Sequence, residues 1–361
     1  MSLDAYDVLD AFSDTKSRTD KSIVANNLDT YSAEFLPRAE EIAVGVFCNA
    51  LEELGCPIRS AVAESKLERV QPVPEHKKLV DHIYRVLESK AGLIKSDGTD
   101  LIRTSKGPAQ DAEIKLMRTV GESYGKCLSG EVDAVQLLFA SAESRSLLDK
   151  LYATSDATSS LLQPLKAFIQ EVASSWSASG QPLRILEIGA GTGGTTSILL
   201  PALAQLDVPL VYTMTDISPS LVTQASSTFK QYPFVEFKVV DIEKEPPREL
   251  QSNQHIVLGS NVVHATADLQ CSLRNVNKLL RPDGFLIFHE LTTQMLWADV
   301  VFGLFEGWWR FRDGRGHALQ SPQAWAKTLK SAGFNHVDWT DGSRPEAKLQ
   351  SLILGMVTDP E

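Results

Sequence analysis

Eight consecutive residues, Glu187-Ile188-Gly189-Ala190-Gly191-Thr192-Gly193-Gly194, carry the densest chemical signal in the chain. Glycines let a backbone turn sharply and let a ligand approach closely, and a helix that starts there presents free N–H groups. Gly189, Gly191 and Gly194 satisfy G-x-G-x-x-G, a weak pattern when it stands alone, so a nicotinamide enzyme has to be weighed. Two features argue against a pyrophosphate. Glu187 places a carboxylate just before the loop, which suits a cationic or zwitterionic ligand better than a polyphosphate. An acid also follows each of the next two strand-like runs, Asp216 in TDIS and Asp241 in VDIE. An acid after the second strand suits ribose hydroxyls, and Asp241 with Ile242 suits an adenine amino group and ring face. A nucleoside carrying a methionine tail fits all three positions.

A second constellation follows. His264 lies just past HIVLGSNVV, and Glu290 ends GFLIFHE. If these runs are neighbouring strands at roughly 4.8 Å spacing, their end residues meet above the sheet, where open α/β sheets bind ligands. A histidine base oriented by a carboxylate has a specific use in alkylation at carbon, which needs an enolate first. A neutral imidazole takes a proton from a carbon flanked by two carbonyls, and the carboxylate stabilises the imidazolium. His289 precedes Glu290, and in a strand the two side chains point to opposite faces. The sequence leaves open which of them faces the site.

These residues need a scaffold, and the rest of the chain supplies one. From about residue 182, RILEIGAG, VYTMTDIS, FVEFKVVDIE, HIVLGSNVVH and GFLIFHEL read as strands, with helical stretches between them. Such alternation implies parallel βαβ units with right-handed crossovers. SAGFNHVDW and KLQSLILGMV add two closing strands. Upstream the pattern is mostly helical: a helix near 33–56, another carrying Leu79, Ile83 and Leu87, a hairpin around Ser96-Asp97-Gly98, and further helix at 111–127, 131–152 and 161–176. The polar first twenty residues read as a linker or frayed end. The expected division is therefore linker 1–20, helical cap and substrate subdomain 21–176, and α/β domain 177–361.

Composition narrows the function class. The 361 residues are 43% hydrophobic and 22% charged, and no apolar run approaches the ~20 residues of a membrane span. The opening MSLDAYDVLDAF shows no basic segment followed by an apolar stretch, so the expectation is a cytoplasmic protein. Four cysteines, Cys48, Cys56, Cys127 and Cys271, lack C-x-x-C spacing, which argues against a disulfide framework or structural zinc. A formal net charge of −11 argues against a general nucleic-acid binder and against reading 74–105 as a winged-helix nucleic-acid module.

The segments LEIGAGTGGTT, TDIS, DIE and LLRPDGFLIF, with the last two strands, resemble the class I S-adenosylmethionine-dependent methyltransferases over about residues 181–361. The resemblance implies a Rossmann-like, seven-stranded, mostly parallel sheet, and S-adenosylmethionine as cofactor with no metal. It implies that Glu187, Gly189 and Gly191 line the methionine and ribose site, that Asp216 holds the ribose, and that Asp241 and Ile242 flank adenine. Asn261, at the end of the fourth strand, joins that set. SNVVHAT, FHELT and GLFEGWW, with LYATSD upstream, further resemble the C-methyltransferase domains of fungal polyketide synthases of the non-reducing, citrinin type. That resemblance implies an excised domain of a multifunctional enzyme. It implies His264 and Glu290 as catalytic dyad, Tyr152 and Trp308 in the substrate pocket, and a β-ketoacyl chain on an acyl carrier protein as acceptor. From residue type alone, Tyr152 and the aromatic run 304–311 fit cap packing equally well. The competing readings are a small-molecule O-methyltransferase and an inactive methyltransferase-like scaffold.

Overall fold

A computed structural model describes residues 3–97, 100–104, 121–133, 136, 156–176 and 181–358. The chain forms two compact units, one from residues 30–148 with 294–310, the other from 1–29, 149–293 and 311–361. This division departs from the expected one at both ends. Residues 5–17 form a helix rather than a linker, and Val8, Ala11 and Phe12 are buried in the core of the sheet-bearing unit. Phe12 meets Phe168 edge-on at 5.7 Å, and Phe168 meets Phe285 at the same distance. A fully buried phenylalanine contributes roughly 3 kcal/mol of burial, ample to hold a polar-looking segment in place. Residues 156–174, expected in the cap, belong to the same unit.

The helical unit is built on amphipathic stripes. Leu36–Glu53, entered through a single π turn at Tyr31–Phe35, buries Ala39, Ala43, Val46, Phe47, Ala50 and Leu51, three to four residues apart. Lys77–Ser89 buries Leu79, Ile83, Val86 and Leu87 together with His82. The expected hairpin is present as β2 (Ile94–Asp97) and β3 (Asp100–Arg103), and β1 (Lys66–Leu67) joins the free edge of β3. Arg103 staples this small sheet, since its buried guanidinium donates to the carbonyls of Ile58, Leu93 and Thr104. Tyr124–Leu128 is helical at the end of the stretch expected at 111–127, whose residues 111–120 lie outside the described residues, as does most of the stretch expected at 131–152.

The other unit holds a seven-stranded sheet ordered β6-β5-β4-β7-β8-β10-β9. The strands are β4 (Leu183–Ile188), β5 (Leu210–Asp216), β6 (Val235–Val239), β7 (Gln254–Ser260), β8 (Leu280–Leu291), β9 (His336–Trp339) and β10 (Gln350–Met356). Strands β4 to β8 pair in parallel, and β10 is antiparallel to both β8 and β9. Both faces are covered, so the central strands are continuous apolar runs rather than alternating ones. One face packs Leu165, Phe168, Leu199 and Leu203 against Ile185, Ile256 and Phe285; the other packs Leu273, Val276, Trp325 and Leu329 against Leu186, Val257 and Phe288. Side-chain caps start the crossover helices: Ser218 accepts from the N–H of Leu221, and Asp268 from that of Cys271. Strand order reverses at β4, so β4, β5 and β7 open a crevice at their carboxyl ends. Among the described residues, no helix is long and apolar enough to cross a membrane.

Candidate active site

The glycine loop fills the turn after β4. Gly189, Gly191 and Gly193 all lie in the left-handed region, at φ 55°, 57° and 87°. Sterics differ at the three positions. A Cβ on Gly189 would stand 2.1 Å from Val262 Cγ2, and one on Gly193 would stand 2.6 Å from the Phe229 ring. A Cβ on Gly191 would meet nothing within 4 Å. Two glycines are therefore required by the protein's own packing, whereas the third borders open space.

The acids order this turn. Asp216, last residue of β5, accepts from the Gly191 N–H at 2.9 Å and from the Ser218 N–H at 2.8 Å. It holds the loop and its own following turn together. Glu187 is only 2% exposed. Its Oε2 accepts from the Tyr212 hydroxyl at 2.7 Å and from Thr196 Oγ1. Burial pushes the Glu187 carboxyl up to about 7, against the pull of these two hydroxyl donors, and the Asp216 charge adds to the rise. Asp241 lies two residues past β6, accepts from the Glu243 N–H at 3.0 Å and pairs with Lys244 at 3.0 Å. The carbonyl of the adjoining Ile242 is held by Asn275 Nδ2 at 3.0 Å, and its partly buried side chain packs against the core on that face of the sheet.

Past β7 and β8 the structure brings His264 and Glu290 together. His264 Nδ1 stands 2.6 Å from Glu290 Oε2. The other carboxylate oxygen accepts from the N–H groups of Val263 and His264 at 3.0 and 3.3 Å. Glu290 is fully buried, and His264 is 7% exposed. With Nδ1–H directed to a carboxylate, the neutral ring carries its basic lone pair on Nε2. His289 points the other way. Its Nδ1 meets Ser260 Oγ at 2.9 Å and its Nε2 meets Gln350 Oε1 at 2.8 Å. Burial holds its imidazole below the ordinary value. Gln350 donates onward to the Ala157 carbonyl, so its oxygen faces His289, which fixes Nε2–H as the donor. The two-residue alternation of β8 thus separates a structural histidine from the carboxylate that meets His264.

Asn261 stands at the end of β7, and its Oδ1 accepts from the Leu291 N–H at 3.2 Å. Trp308 belongs to the helical unit, where its indole N–H donates to Asp299 Oδ1 at 3.0 Å. Tyr152 lies outside the described residues. Sequence reasoning missed Tyr212, Thr196 and Asp299. Tyr212 and Thr196 are embedded in apolar or small-residue runs where nothing marks them as partners of Glu187. Asp299 is a lone acid between Ala298 and Val300, yet it is fully buried and also receives His82 Nε2 at 2.9 Å. An acid in an otherwise apolar helix was the available signal.

Comparison with known proteins shows the family and fold that carry these residues. Residues 13–101 match a family model described as "Methyltransferase, Helix-turn-helix domain", and residues 186–286 match one described as "Methyltransferase domain". The chain is 56% identical over 375 residues to "Non-reducing polyketide synthase AC" of Didymella fabae, which covers 99% of this chain. It is 45% identical over 370 residues to the citrinin polyketide synthase of Monascus ruber, covering 98% of this chain. In both cases the chain spans only 14% of the relative's length. Among solved structures, the CMeT domain of the citrinin polyketide synthase superposes with TM-score 0.95 at 44% identity, covering 99% of both chains. The CurJ carbon methyltransferase shares the fold, with TM-score 0.85 at 24% identity over 98% of this chain and 99% of that one. The trans-methyltransferase CalH, solved in complex with SAH, gives TM-score 0.66 at 26% identity over 91% of this chain and 92% of its own. The chain belongs to the S-adenosylmethionine-dependent carbon-methyltransferase domains of fungal non-reducing polyketide synthases.

Proposed function

We propose that the chain methylates the α-carbon of a β-ketoacyl thioester carried by an acyl carrier protein, with His264 as the base and Glu290 as its orienting carboxylate. The observation that carries this reading is the 2.6 Å contact between His264 Nδ1 and Glu290 Oε2, with the second carboxylate oxygen held by backbone N–H groups. The residues at the glycine loop fit S-adenosylmethionine. Gly191 leaves open space where a Cβ would lie, Asp216 ends β5 beside the loop, and Asp241 lies two residues past β6, the next strand out. Glu187, Gly189 and Gly191 would line the methionine and ribose site, Asp216 would hold the ribose, and Asp241 and Ile242 would flank the adenine. When bound, the cofactor supplies an electrophilic methyl on a positively charged sulfur.

The chain's own groups then have a defined task. His264 Nε2 would take a proton from the carbon between two carbonyls, and the electron pair of that C–H bond would become the enolate. With cofactor bound, that pair would form the new C–C bond to the methyl as the methyl's C–S bond breaks and its electrons leave on sulfur, giving S-adenosylhomocysteine. Glu290 offsets the imidazolium charge without taking the proton, which is how a buried carboxylate serves a histidine base. Tyr152 and Trp308 are proposed for the acceptor pocket on family resemblance. The carrier protein and neighbouring synthase domains are the proposed partners, and the cytoplasm the proposed compartment.

The test is mass spectrometry of the chain incubated with S-adenosylmethionine and a β-ketoacyl pantetheine thioester, with fragmentation to locate the added methyl. A methyl on the α-carbon supports the proposal. A methyl on oxygen moves the assignment to an O-methyltransferase, and failure to bind the cofactor moves it to a scaffold.

A further inference from the structure

Asn261 is one of four described non-glycine residues in the left-handed region, at φ 51°. Asparagine tolerates that conformation better than other side-chain-bearing residues. The turn it makes does three things at once. Its N–H donates to the His289 carbonyl at 2.8 Å, and its Oδ1 accepts from the Leu291 N–H at 3.2 Å. Asn261 therefore grips β8 on both sides of Glu290. Directly after the turn, the Val263 and His264 N–H groups arrive on Glu290 Oε1. The intervening Val262 lands against the glycine loop, where its Cγ2 stands 2.1 Å from the position of a Gly189 Cβ.

We propose that Asn261 is a positioning residue for the His264–Glu290 pair, setting that pair in register with the glycine loop. This rests on the reading of His264 as the base. It departs from a cofactor contact, the role that resemblance implies for Asn261, because its side-chain oxygen is engaged by the strand that carries Glu290. A misplacement of about 1 Å in an oriented catalytic group costs on the order of 100-fold in rate. A left-handed turn plus one clamp on Glu290's strand is the feature that sets this placement. Ser260 strengthens the grip one residue earlier, through His289 Nδ1 at 2.9 Å.

The experiment compares Asn261→Ala, which loses turn and acceptor, with Asn261→Gly, which keeps the turn and loses the acceptor. Three readouts are taken on the whole chain: kcat for methylation of the thioester at saturating cofactor, the cofactor Kd by calorimetry, and the downfield imidazole N–H proton of His264. That proton is assigned by its loss in His264→Gln. Asn261→Ala is expected to lower kcat roughly 100-fold, and Asn261→Gly roughly 10-fold, by misorientation alone. Kd is expected to move less than about threefold, and the imidazole proton to weaken in the same order as kcat. A raised Kd with kcat retained at saturation would make Asn261 a cofactor contact and overturn the proposal. Retained kcat with an unaltered proton signal overturns it as well. If Asn261→Ala does not fold, Asn261→Gly decides by the same criteria. A wild-type chain that shows the imidazole proton but methylates nothing sinks the catalytic reading; the proton and Kd of the variants then still judge the placement of the pair.

Discussion

Glu290 holds both the ring and the backbone of His264: one carboxylate oxygen receives Nδ1 at 2.6 Å, the other the His264 N–H at 3.3 Å. A carboxylate bonded at both ends cannot rotate away when the ring gains a proton. This makes the pair a fixed unit rather than a chance contact.

Removing the ring tests that unit. His264→Ala is expected to lower methyl transfer by about 10²–10⁴-fold, the usual contribution of a positioned base. The cofactor Kd should hold, since Asp216, Asp241 and the glycine loop are untouched. Glu290→Gln should give a comparable loss of turnover, because an amide cannot offset the imidazolium. Calorimetric titration beside the turnover assay separates the two effects, and a cofactor Kd that collapses in His264→Ala would make His264 a folding residue.

The glycines differ in what they tolerate. Gly193→Ala drives a methyl into the Phe229 ring at a positive φ, and should cost about 2–5 kcal/mol from strain and overpacking together. Gly191→Ala carries only the conformational penalty, about 1–2 kcal/mol, since its Cβ meets nothing. Its larger effect should be on cofactor affinity. Urea unfolding and cofactor titration of both variants check the contrast, and equal stability losses would contradict it.

Glu187 makes stability depend on pH with a definite sign. The unfolded carboxyl ionises near its ordinary 4.5, the folded one near 7. Between those values the unfolded chain loses the proton first, so this group's contribution to stability falls as pH rises and is fully lost above about 7. The swing is on the order of 3 kcal/mol. Glu187→Gln removes it, so the variant should gain on the wild type as pH increases from 5 to 8. Parallel unfolding free energies at the two pH values would show that the carboxyl is not buried in its neutral form.

Asp299 is the anchor of the helical unit. It receives His82 Nε2 at 2.9 Å and the Trp308 indole at 3.0 Å, and is fully buried. Asp299→Ala leaves two buried donors without their acceptor and should destabilise by about 3–5 kcal/mol. Asp299→Asn, which keeps one acceptor oxygen, should lose less. Thermal unfolding with tryptophan fluorescence reads both, and a wild-type melting curve for Asp299→Ala would remove the anchoring role.

Much of this architecture was legible in linear order. The run LRILEI, the glycines after it and the acids ending successive strands are local patterns, because strand, turn and helix each impose a short period on the chain. So was the meeting of His264 with the end of the GFLIFHE run, once β7 and β8 were read as neighbours. The amino-terminal helix was not. Its residues look polar, and what stabilises 5–17 is contact with Phe168 and its neighbours, more than 150 positions away. Whether His289 or Glu290 faces His264 was equally invisible. A strand shifted by one residue exchanges its faces, and the register is set by pairing with β7 and β10. Glu187 shows the same limit: its spacing marked it as an acid beside a ligand loop, while the Tyr212 and Thr196 hydroxyls that donate to it come from separate elements. Residue types and spacing marked which groups of this chain are candidates for its chemistry. Their partners, facing and protonation came from long-range packing, since hydrogen-bond geometry and burial depend on segments that only folding brings side by side.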